Sequence, residues 1–257
     1  MNAKQNADEI VVFAGPCSIE SKEQMEEVCD CVSSLGLSWI RGGAFKPRTS
    51  PYSFQGLEEE GLEIMSAAAK KYNLKCLSEV VASEHCELVD SFVDGLQIGA
   101  RNAQNFHLLK SVGRLTAESK KLVVYKRGMS CTIEEALLAR ESITSQGNDS
   151  VVICERGIRT FETSTRYTLD MSAVPVIHKL SKNPVCVDVS HPAGIRDLVE
   201  PLALASIAAG CNSLMIEIHP DPRSALSDSA QQLNLRQFED LTKKLKSLAQ
   251  HFGKTLV

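Results

Sequence analysis

A regular alternation between short apolar segments and longer stretches of helical periodicity constrains the fold of this chain more than any other feature. Eight segments have the length of a strand and are rich in Val, Ile or Leu. They cover residues 10–17, 38–45, 75–80, 95–100, 121–127, 151–156, 185–191 and 213–219. Parallel strands need crossover helices, and eight tilted strands close on an interior filled by side chains. Eight strand–helix units in 257 residues therefore predict an α/β fold, a single-domain (β/α)8 TIM barrel.

The stretches between these segments have the patterns of amphipathic helices. Ser21 with Gln24, and Thr132 with Glu135, have the spacing of an N-terminal capping box. Apolar residues at steps of three and four predict a final helix over 235–252. The alternative fold is an open, doubly wound sheet, but no GxGxxG motif follows the first segment. We expect an N-terminal extension at residues 1–9 and one barrel domain over 10–257.

Composition excludes several classes of protein. The 28 Lys and Arg against 32 Asp and Glu give a net charge of −4, so no global positive field attracts nucleic acid or acidic lipid. The longest uncharged stretch, 201–216, is shorter than the ~20 apolar residues of a membrane span. The nine cysteines are scattered and form no CxxC pair, which favours reduced thiols and a cytoplasmic location. We therefore expect neither nucleic acid nor a membrane as a partner.

Polar residues stand where the apolar segments end, and in a (β/α)8 barrel the carboxyl ends of the strands carry the chemistry. These residues are Cys17, Arg41, Lys46, Glu79, Arg101, Lys126, Arg156, His191, Glu217 and His219, with Arg48 in the loop after the second segment. Six of them are cations that would converge on one mouth of an acidic protein. Because guanidinium and ammonium groups bind phosphate and carboxylate oxygens, this predicts a small, multiply anionic, phosphorylated substrate.

A second set of residues mixes sulfur, nitrogen and oxygen donors. Cys17, His191 and Glu217 end the first, seventh and eighth segments, and Asp228 follows in the next loop. These segments become neighbours once a barrel closes, so the four side chains could hold one divalent cation acting as a Lewis acid, such as Mn²⁺, Fe²⁺ or Zn²⁺. The alternative is structural: His191 beside Pro192 as a packed turn residue, and Cys17 as a small buried thiol.

Several motifs resemble those of the 3-deoxy-D-arabino-heptulosonate 7-phosphate (DAHP) synthases, and the type I beta subfamily matches best. The resemblance extends in order from about residue 10 to 246. The motifs are AGPCS at 14–18, RGGAFKPRTSPYSFQG at 41–56, QIGARN at 97–102, CERG at 154–157, SHP at 190–192, EIHP at 217–220 and ALSDS at 225–229.

The resemblance implies a metal-dependent transferase of the shikimate pathway. Such enzymes condense phosphoenolpyruvate with erythrose 4-phosphate and water, giving DAHP and phosphate. It implies one divalent ion per subunit (Mn²⁺, Fe²⁺, Zn²⁺ or Co²⁺) on Cys17, His191, Glu217 and Asp228. It also suggests a cytoplasmic homo-oligomer, a tetramer or a dimer.

The resemblance also implies roles for the cations. Arg101, Lys126 and Arg156, with Ala100, would surround the phosphate of phosphoenolpyruvate, and Arg41 and Lys46 would lie near its carboxylate. Arg48 and Thr49 would bind the phosphate of the aldose. Lys46 is the expected proton donor to the developing alkoxide. Glu79, His219 or a water on the metal would handle the proton of the attacking water.

Two other functions are compatible with these residues. 3-Deoxy-D-manno-octulosonate 8-phosphate synthases are similar barrels that use arabinose 5-phosphate, but the run from Lys46 to Thr49 favours the shorter, four-carbon aldose. A non-catalytic barrel that binds a phosphorylated metabolite would need the cations but not the metal set. Since neither end of the chain has room for a ferredoxin-like or chorismate mutase domain, we expect no inhibition by aromatic amino acids or prephenate.

Overall fold

Eight parallel strands close into a barrel in the computed structural model, which describes residues 8–46, 52 and 54–257. Each strand pairs with the next along the chain, and β1 pairs with both β2 and β8. The predicted (β/α)8 barrel is confirmed, and the open sheet is wrong. The strands are β1 Glu9–Gly15, β2 Trp39–Arg41, β3 Lys75–Val80, β4 Gly95–Ile98, β5 Leu122–Lys126, β6 Val151–Glu155, β7 Val185–Asp188 and β8 Ser213–Glu217.

Helices follow the strands and cover the outside of the barrel. They are α1 Lys22–Ser34, α2 Glu58–Lys71, α3 Cys86–Phe92, α4 Phe106–Leu115, α5 Ile133–Thr144, α6 Ala173–Leu180, α7 Ser190–Ala193, α8 Val199–Ala208 and α9 Leu235–His251. The single turn α7 comes directly after β7 and precedes the longer α8. In α9, the predicted apolar face is buried at Phe238, Leu241 and Leu245. Among the described helices, none is both long and apolar enough to cross a bilayer.

Only one of the two predicted capping boxes forms completely. The Thr132 hydroxyl accepts from the Glu135 N–H at 3.1 Å, and the Glu135 carboxylate accepts from the Thr132 N–H at 2.8 Å. At α1, Ser21 accepts from the Gln24 N–H, but the Gln24 side chain accepts from the Glu20 N–H instead of returning to Ser21. Gln24 is buried and also donates to the Ser18 carbonyl, so it ties the loop after β1 to the helix.

Several strands are shorter than the apolar segments that predicted them. Strand β2 ends at Arg41, where the chain turns and Gly43 pairs with Ser18. Strand β7 ends at Asp188, because residues 190–193 form a helical turn. As a result, Cys17, Lys46 and His191 lie in the segments just after strands.

A short strand at the C-terminus is absent from the prediction. Strand β9, Thr255–Leu256, pairs in parallel with Glu9 and Ile10 at the start of β1. Its two residues are too few for a pattern to be recognised. The pairing starts β1 at Glu9, one residue before the expected barrel boundary. The division into an extension over 1–9 and a barrel over 10–257 stays a prediction.

The alternation of side chains along the strands determines which residues face the barrel interior. A central cluster fills the barrel with Phe13, Leu77, Val124, Val152, Cys154, Cys186 and Met215. Because the period of a strand is two, a residue two positions further on faces the same way. Lys126, Asp188 and Glu217 each stand two residues beyond a member of this cluster. They therefore form a charged layer above the apolar one, at the carboxyl ends of the strands.

We expect Thr132→Ala to lower the free energy of unfolding by about 1 kcal/mol, since it removes the capping hydroxyl of α5. For a domain of this size, that corresponds to roughly 2–4 °C in Tm, measurable by circular dichroism. Thr132→Ser keeps the hydroxyl and serves as the control. Equal losses in both variants would contradict the assignment of the stability to the cap.

Candidate active site

Four potential metal ligands meet at the mouth of the barrel. One ligand atom each from Cys17, His191, Glu217 and Asp228 lies within 4.8 Å of the other three. His191 Nε2 is 3.3 Å from Glu217 Oε1 and 3.8 Å from Asp228 Oδ2, and the Cys17 thiol donates to Asp228 Oδ2 at 3.4 Å. The sequence predicted this convergence, and the structure brings all four side chains together.

Local backbone geometry aims these side chains at one point. Cys17 follows Pro16 at the end of β1, and its N–H donates to the side chain of Gln232 at 3.1 Å. His191 is carried by the turn α7, and Glu217 is the last residue of β8. Asp228 has a φ of 49°, in the left-handed region that Asp adopts more readily than most residues.

Burial and neighbouring charges shift the pKa values of Cys17 and Asp228 in opposite directions. Burial raises the pKa of the Cys17 thiol to about 11, an effect that the Glu217 carboxylate reinforces and Lys46 opposes. Burial also disfavours the charged form of Asp228, but His191, Arg166 and Lys46 outweigh it and lower that pKa to about 2. A soft thiol beside an ionised carboxylate and an imidazole is a donor set that suits a divalent transition metal.

Buried carboxylates in this layer are paired with cations. Glu217 accepts from Arg41 Nη1 at 3.2 Å and from Gln231 Nε2 at 2.8 Å. Asp188 accepts from Lys126 Nζ at 2.7 Å. Burial opposes the charge of Lys126, but Asp188 outweighs it and raises the pKa of that ammonium. The interior cations therefore stay charged.

Of the other predicted anion-binding residues, Arg156 lies just after β6, and Ala100 and Arg101 lie just after β4. Arg156 is buried directly after β6, and its guanidinium lies 4.4 Å from the centre of the Tyr167 ring. Ala100 and Arg101 form a turn after β4, where Arg101 is exposed. Within the described part of the chain, Arg156 Nη1 and Arg41 Nε are buried and have no hydrogen-bond partner. Unpaired buried donors of this kind are costly unless a ligand satisfies them.

The ammonium group of Lys46 points at the four candidate metal ligands. Its Nζ donates to the Cys17 carbonyl at 2.9 Å and lies 3.1 Å from the Cys17 Sγ. The position of Gly43 makes this approach possible, since an added Cβ there would stand 2.9 Å from both the Cys17 carbonyl oxygen and Lys46 Cδ. The missing side chain at Gly43 thus lets Lys46 and the Cys17 carbonyl come together.

The two predicted candidates for handling the proton of water occupy different surroundings. Glu79 Oε2 accepts from Gln97 Nε2 at 2.9 Å, and the carboxylate packs against Gly99. His219 is buried, accepts from the Asp221 N–H through Nδ1 at 3.1 Å, and has Nε2 3.4 Å from a Glu20 oxygen. Arg48 and Thr49 lie outside the described residues.

Sequence reasoning missed three residues whose side chains contact the side chains of the four candidate metal ligands. Asp188 accepts from His191 Nδ1 at 2.7 Å, and its spacing of three residues before His191 was an available signal. Gln231 holds Glu217, and Arg166 Nη1 lies 3.3 Å from Asp228 Oδ1. These two line a cleft of about 430 Å³ beside Asp228. They come from long loops, where no periodic pattern marks them.

The mouth of the barrel combines four candidate metal ligands with buried guanidinium groups that have unpaired N–H donors. This combination defines a metal-dependent enzyme that acts on phosphorylated anions. The chain belongs to the DAHP synthetase I family, whose sequence profile matches residues 3–253.

Individual relatives agree with this assignment. A phospho-2-dehydro-3-deoxyheptonate aldolase of Thermotoga maritima is 49% identical over 242 residues, covering 94% of this chain and 70% of the relative. A crystal structure of a phospho-2-dehydro-3-deoxyheptonate aldolase (DAHP synthase) from Thermotoga maritima superimposes with a TM-score of 0.93 at 47% identity, covering 97% of this chain and 72% of the other. A 2-dehydro-3-deoxyphosphooctonate aldolase of Rhodopseudomonas palustris is 32% identical over 258 residues, covering 93% of this chain and 88% of the relative.

We expect Cys17→Ala to reduce Co²⁺ affinity by more than about 100-fold, because losing a ligand costs more than losing an outer partner, which typically costs 10–100-fold. Competition with a chromophoric chelator measures this. Cys31→Ala removes another buried thiol, on α1, and should bind Co²⁺ like the unmodified chain. If both variants bind equally well, Cys17 is not a ligand.

Proposed function

We propose that this chain is a metal-dependent DAHP synthase that condenses phosphoenolpyruvate with erythrose 4-phosphate and water, releasing DAHP and inorganic phosphate at the entry to the shikimate pathway. The observation that carries the proposal is the meeting of Cys17, His191, Glu217 and Asp228 directly beside buried cations, in a chain of the DAHP synthetase I family. The alternative of a non-catalytic binding barrel would not need these four donors. The relatives named for the eight-carbon product are also less similar to this chain.

The four donors would hold one divalent ion, with Mn²⁺, Fe²⁺, Zn²⁺ and Co²⁺ as the candidates. Such an ion supplies Lewis-acid chemistry, polarising the aldehyde of erythrose 4-phosphate. The site fits a cation because of its donor chemistry. Two buried or half-buried carboxylates, a thiol and an imidazole converge on one point. Availability and geometry, more than raw affinity, decide which metal is used.

Five cations would bind phosphoenolpyruvate. Lys126, Arg156 and Arg101, with Ala100, would surround its phosphate, and Arg41 and Lys46 would lie near its carboxylate. The unpaired Nη1 of Arg156 supports this role, since a phosphate oxygen would satisfy a donor that the described residues leave open. Holding the two polyanions together against their repulsion can lower the activation barrier by ~7–11 kcal/mol.

Lys46 would donate the proton to the oxygen of the aldehyde as it becomes an alkoxide. Its ammonium lies 3.1 Å from Cys17 Sγ, so it reaches the same point as the four ligands. The C2=C3 π electrons of phosphoenolpyruvate form the new bond between C3 and the aldehyde carbon, which leaves positive character at C2. Water adds at C2, and the resulting hemiketal phosphate expels inorganic phosphate by cleavage of the bond between C2 and the phosphate oxygen.

Glu79 and His219 remain the candidates for the proton of the attacking water. Glu79 acts electrostatically on Arg41, which favours a position near the carboxylate end of phosphoenolpyruvate. His219 faces Glu20 through Nε2, an arrangement that supports proton exchange between the two side chains. A water on the metal is the third possibility.

The aldose end of the site would depend on Arg48 and Thr49, which are the proposed ligands of the erythrose 4-phosphate group. The order Lys46-Pro47-Arg48-Thr49 supports a four-carbon aldose over arabinose 5-phosphate.

We also propose that the chain works in the cytoplasm as a homo-oligomer, a tetramer or a dimer. All nine cysteines are free and buried, which supports a reducing compartment. Sedimentation of the purified chain would distinguish the two assemblies.

We expect phosphate release when phosphoenolpyruvate and erythrose 4-phosphate are mixed with the chain and Mn²⁺, and loss of that release on adding a chelator. Arabinose 5-phosphate, supplied in place of erythrose 4-phosphate, should give at least about tenfold lower kcat/KM, which corresponds to about 1.4 kcal/mol of discrimination. Activity that survives chelation would contradict the metal assignment. No turnover with either aldose would favour the binding barrel.

We expect Arg48→Ala to raise the KM for erythrose 4-phosphate far more than that for phosphoenolpyruvate, because it removes a charge-assisted contact worth about 1.5–3 kcal/mol to one substrate only. Arg159→Ala removes an arginine that has no assigned role here and serves as the control. Steady-state kinetics with each substrate varied in turn measures the split. An equal rise for both substrates would show that Arg48 does not serve the aldose alone.

A further inference from the structure

One carboxylate connects the proposed metal site to the proposed phosphate site. Asp188 ends β7, is wholly buried, and faces the barrel interior. Its Oδ2 accepts from Lys126 Nζ and from His191 Nδ1, each at 2.7 Å. Its Oδ1 accepts from the backbone N–H groups of Ser190 and His191, each at 3.1 Å. Both oxygens of this side chain thus act only as acceptors.

We propose that Asp188 is a positioning residue that orients His191 toward the metal and Lys126 toward the phosphate of phosphoenolpyruvate at the same time. The inference rests on the proposed function for the identity of the two ligands. It goes beyond that function by assigning to one side chain, which would contact neither the metal ion nor phosphoenolpyruvate, the coupling of the two sites.

The contact with His191 determines which ring nitrogen faces the cluster. Because Nδ1 donates to Asp188, the neutral ring can offer only Nε2 to a metal, and Nε2 is the atom that lies 3.3 Å from Glu217 Oε1. A metal-binding imidazole needs this tautomer, and a carboxylate behind it commonly provides it. The backbone contacts at Ser190 and His191 hold α7 on the same carboxylate, so the position and the orientation of the ring depend on one group.

The contact with Lys126 fixes the direction of the ammonium. Lys126 is buried, and one of its three N–H groups points at Asp188. The other two are then left for an anion. Because Asp188 also balances the charge, the lysine can remain an ammonium in a site where an unpaired charge would be costly.

Asparagine has the same shape but cannot replace this aspartate. Both oxygens of Asp188 accept from two donors each. In the variant Asp188→Asn, the amide NH₂ would face two N–H donors in either orientation of the side chain. The substitution therefore keeps the volume of the side chain while disrupting one pair of contacts.

The chain offers a matched control at Asp170. This residue also accepts from a buried cation, Arg127 Nη1, at 2.9 Å, but it is not among the contacts of Lys126 and His191. Asp170→Asn removes the same charge from the same end of the barrel. A general effect of lost charge would appear in both variants, whereas a positioning effect would appear only in Asp188→Asn.

The test measures binding of two probes without turnover. For Asp188→Asn, we expect Co²⁺ affinity, from chelator competition, to fall by about 10–100-fold. Phosphoenolpyruvate affinity of the metal-free protein, from calorimetry, should fall by about tenfold. Asp170→Asn should keep both affinities, and Asp188→Glu, which keeps the charge, should recover part of each. Unchanged affinity for either probe in Asp188→Asn overturns the proposal, as does an equal loss in Asp170→Asn.

A second measurement uses the unmodified chain, in case Asp188→Asn does not fold. Nitrogen-15 NMR of the protein loaded with Zn²⁺ should show the metal on His191 Nε2 and a proton on Nδ1. A metal on Nδ1, with the proton on Nε2, would overturn the proposal. These binding and tautomer results do not depend on turnover, so failure to release phosphate from the two substrates would count against the proposed function alone.

Discussion

Pairing of buried charges at the top of the barrel interior is the interaction on which the rest of the site depends. Asp188 and Glu217 are completely buried, and isolated carboxylates in that position would cost several kcal/mol each. Lys126 and Arg41 pair with them at 2.7 and 3.2 Å. The same pairs keep Lys126 and Arg41 charged inside the protein, at the place proposed for the anionic substrate.

The pairing is possible because the strands impose a layered interior. Below the charged layer, Phe13, Val124 and Met215 belong to an apolar cluster that fills the barrel. Charged side chains two residues further along the strands then have no alternative to facing each other across the mouth. Because residues two apart on a strand face the same way, the barrel places a layer of charged side chains directly above its apolar core.

Strand β1 has a special place in this arrangement, because it closes the barrel between β2 and β8. Closure brings Cys17 into contact with Lys46 on one side and with Asp228 on the other. The cluster therefore joins the first and last parts of the chain. The proposed catalytic lysine and the proposed metal ligands depend on the same closure, so a distortion of β1 would affect both.

The sequence by itself determined the barrel, because the alternation of eight apolar segments with helical stretches leaves few other ways to bury their surfaces. It also identified the four metal-ligand candidates, since they follow strands that must become neighbours on closure. Only the tertiary structure decided which partners the buried charged side chains hydrogen-bond. Asp188 shared by Lys126 and His191, and Gln231 holding Glu217, depend on side chains from distant loops and strands whose meeting no local pattern encodes. The two-residue strand β9 was likewise not predicted, because two residues are too few to show a pattern and the strand forms by pairing with β1.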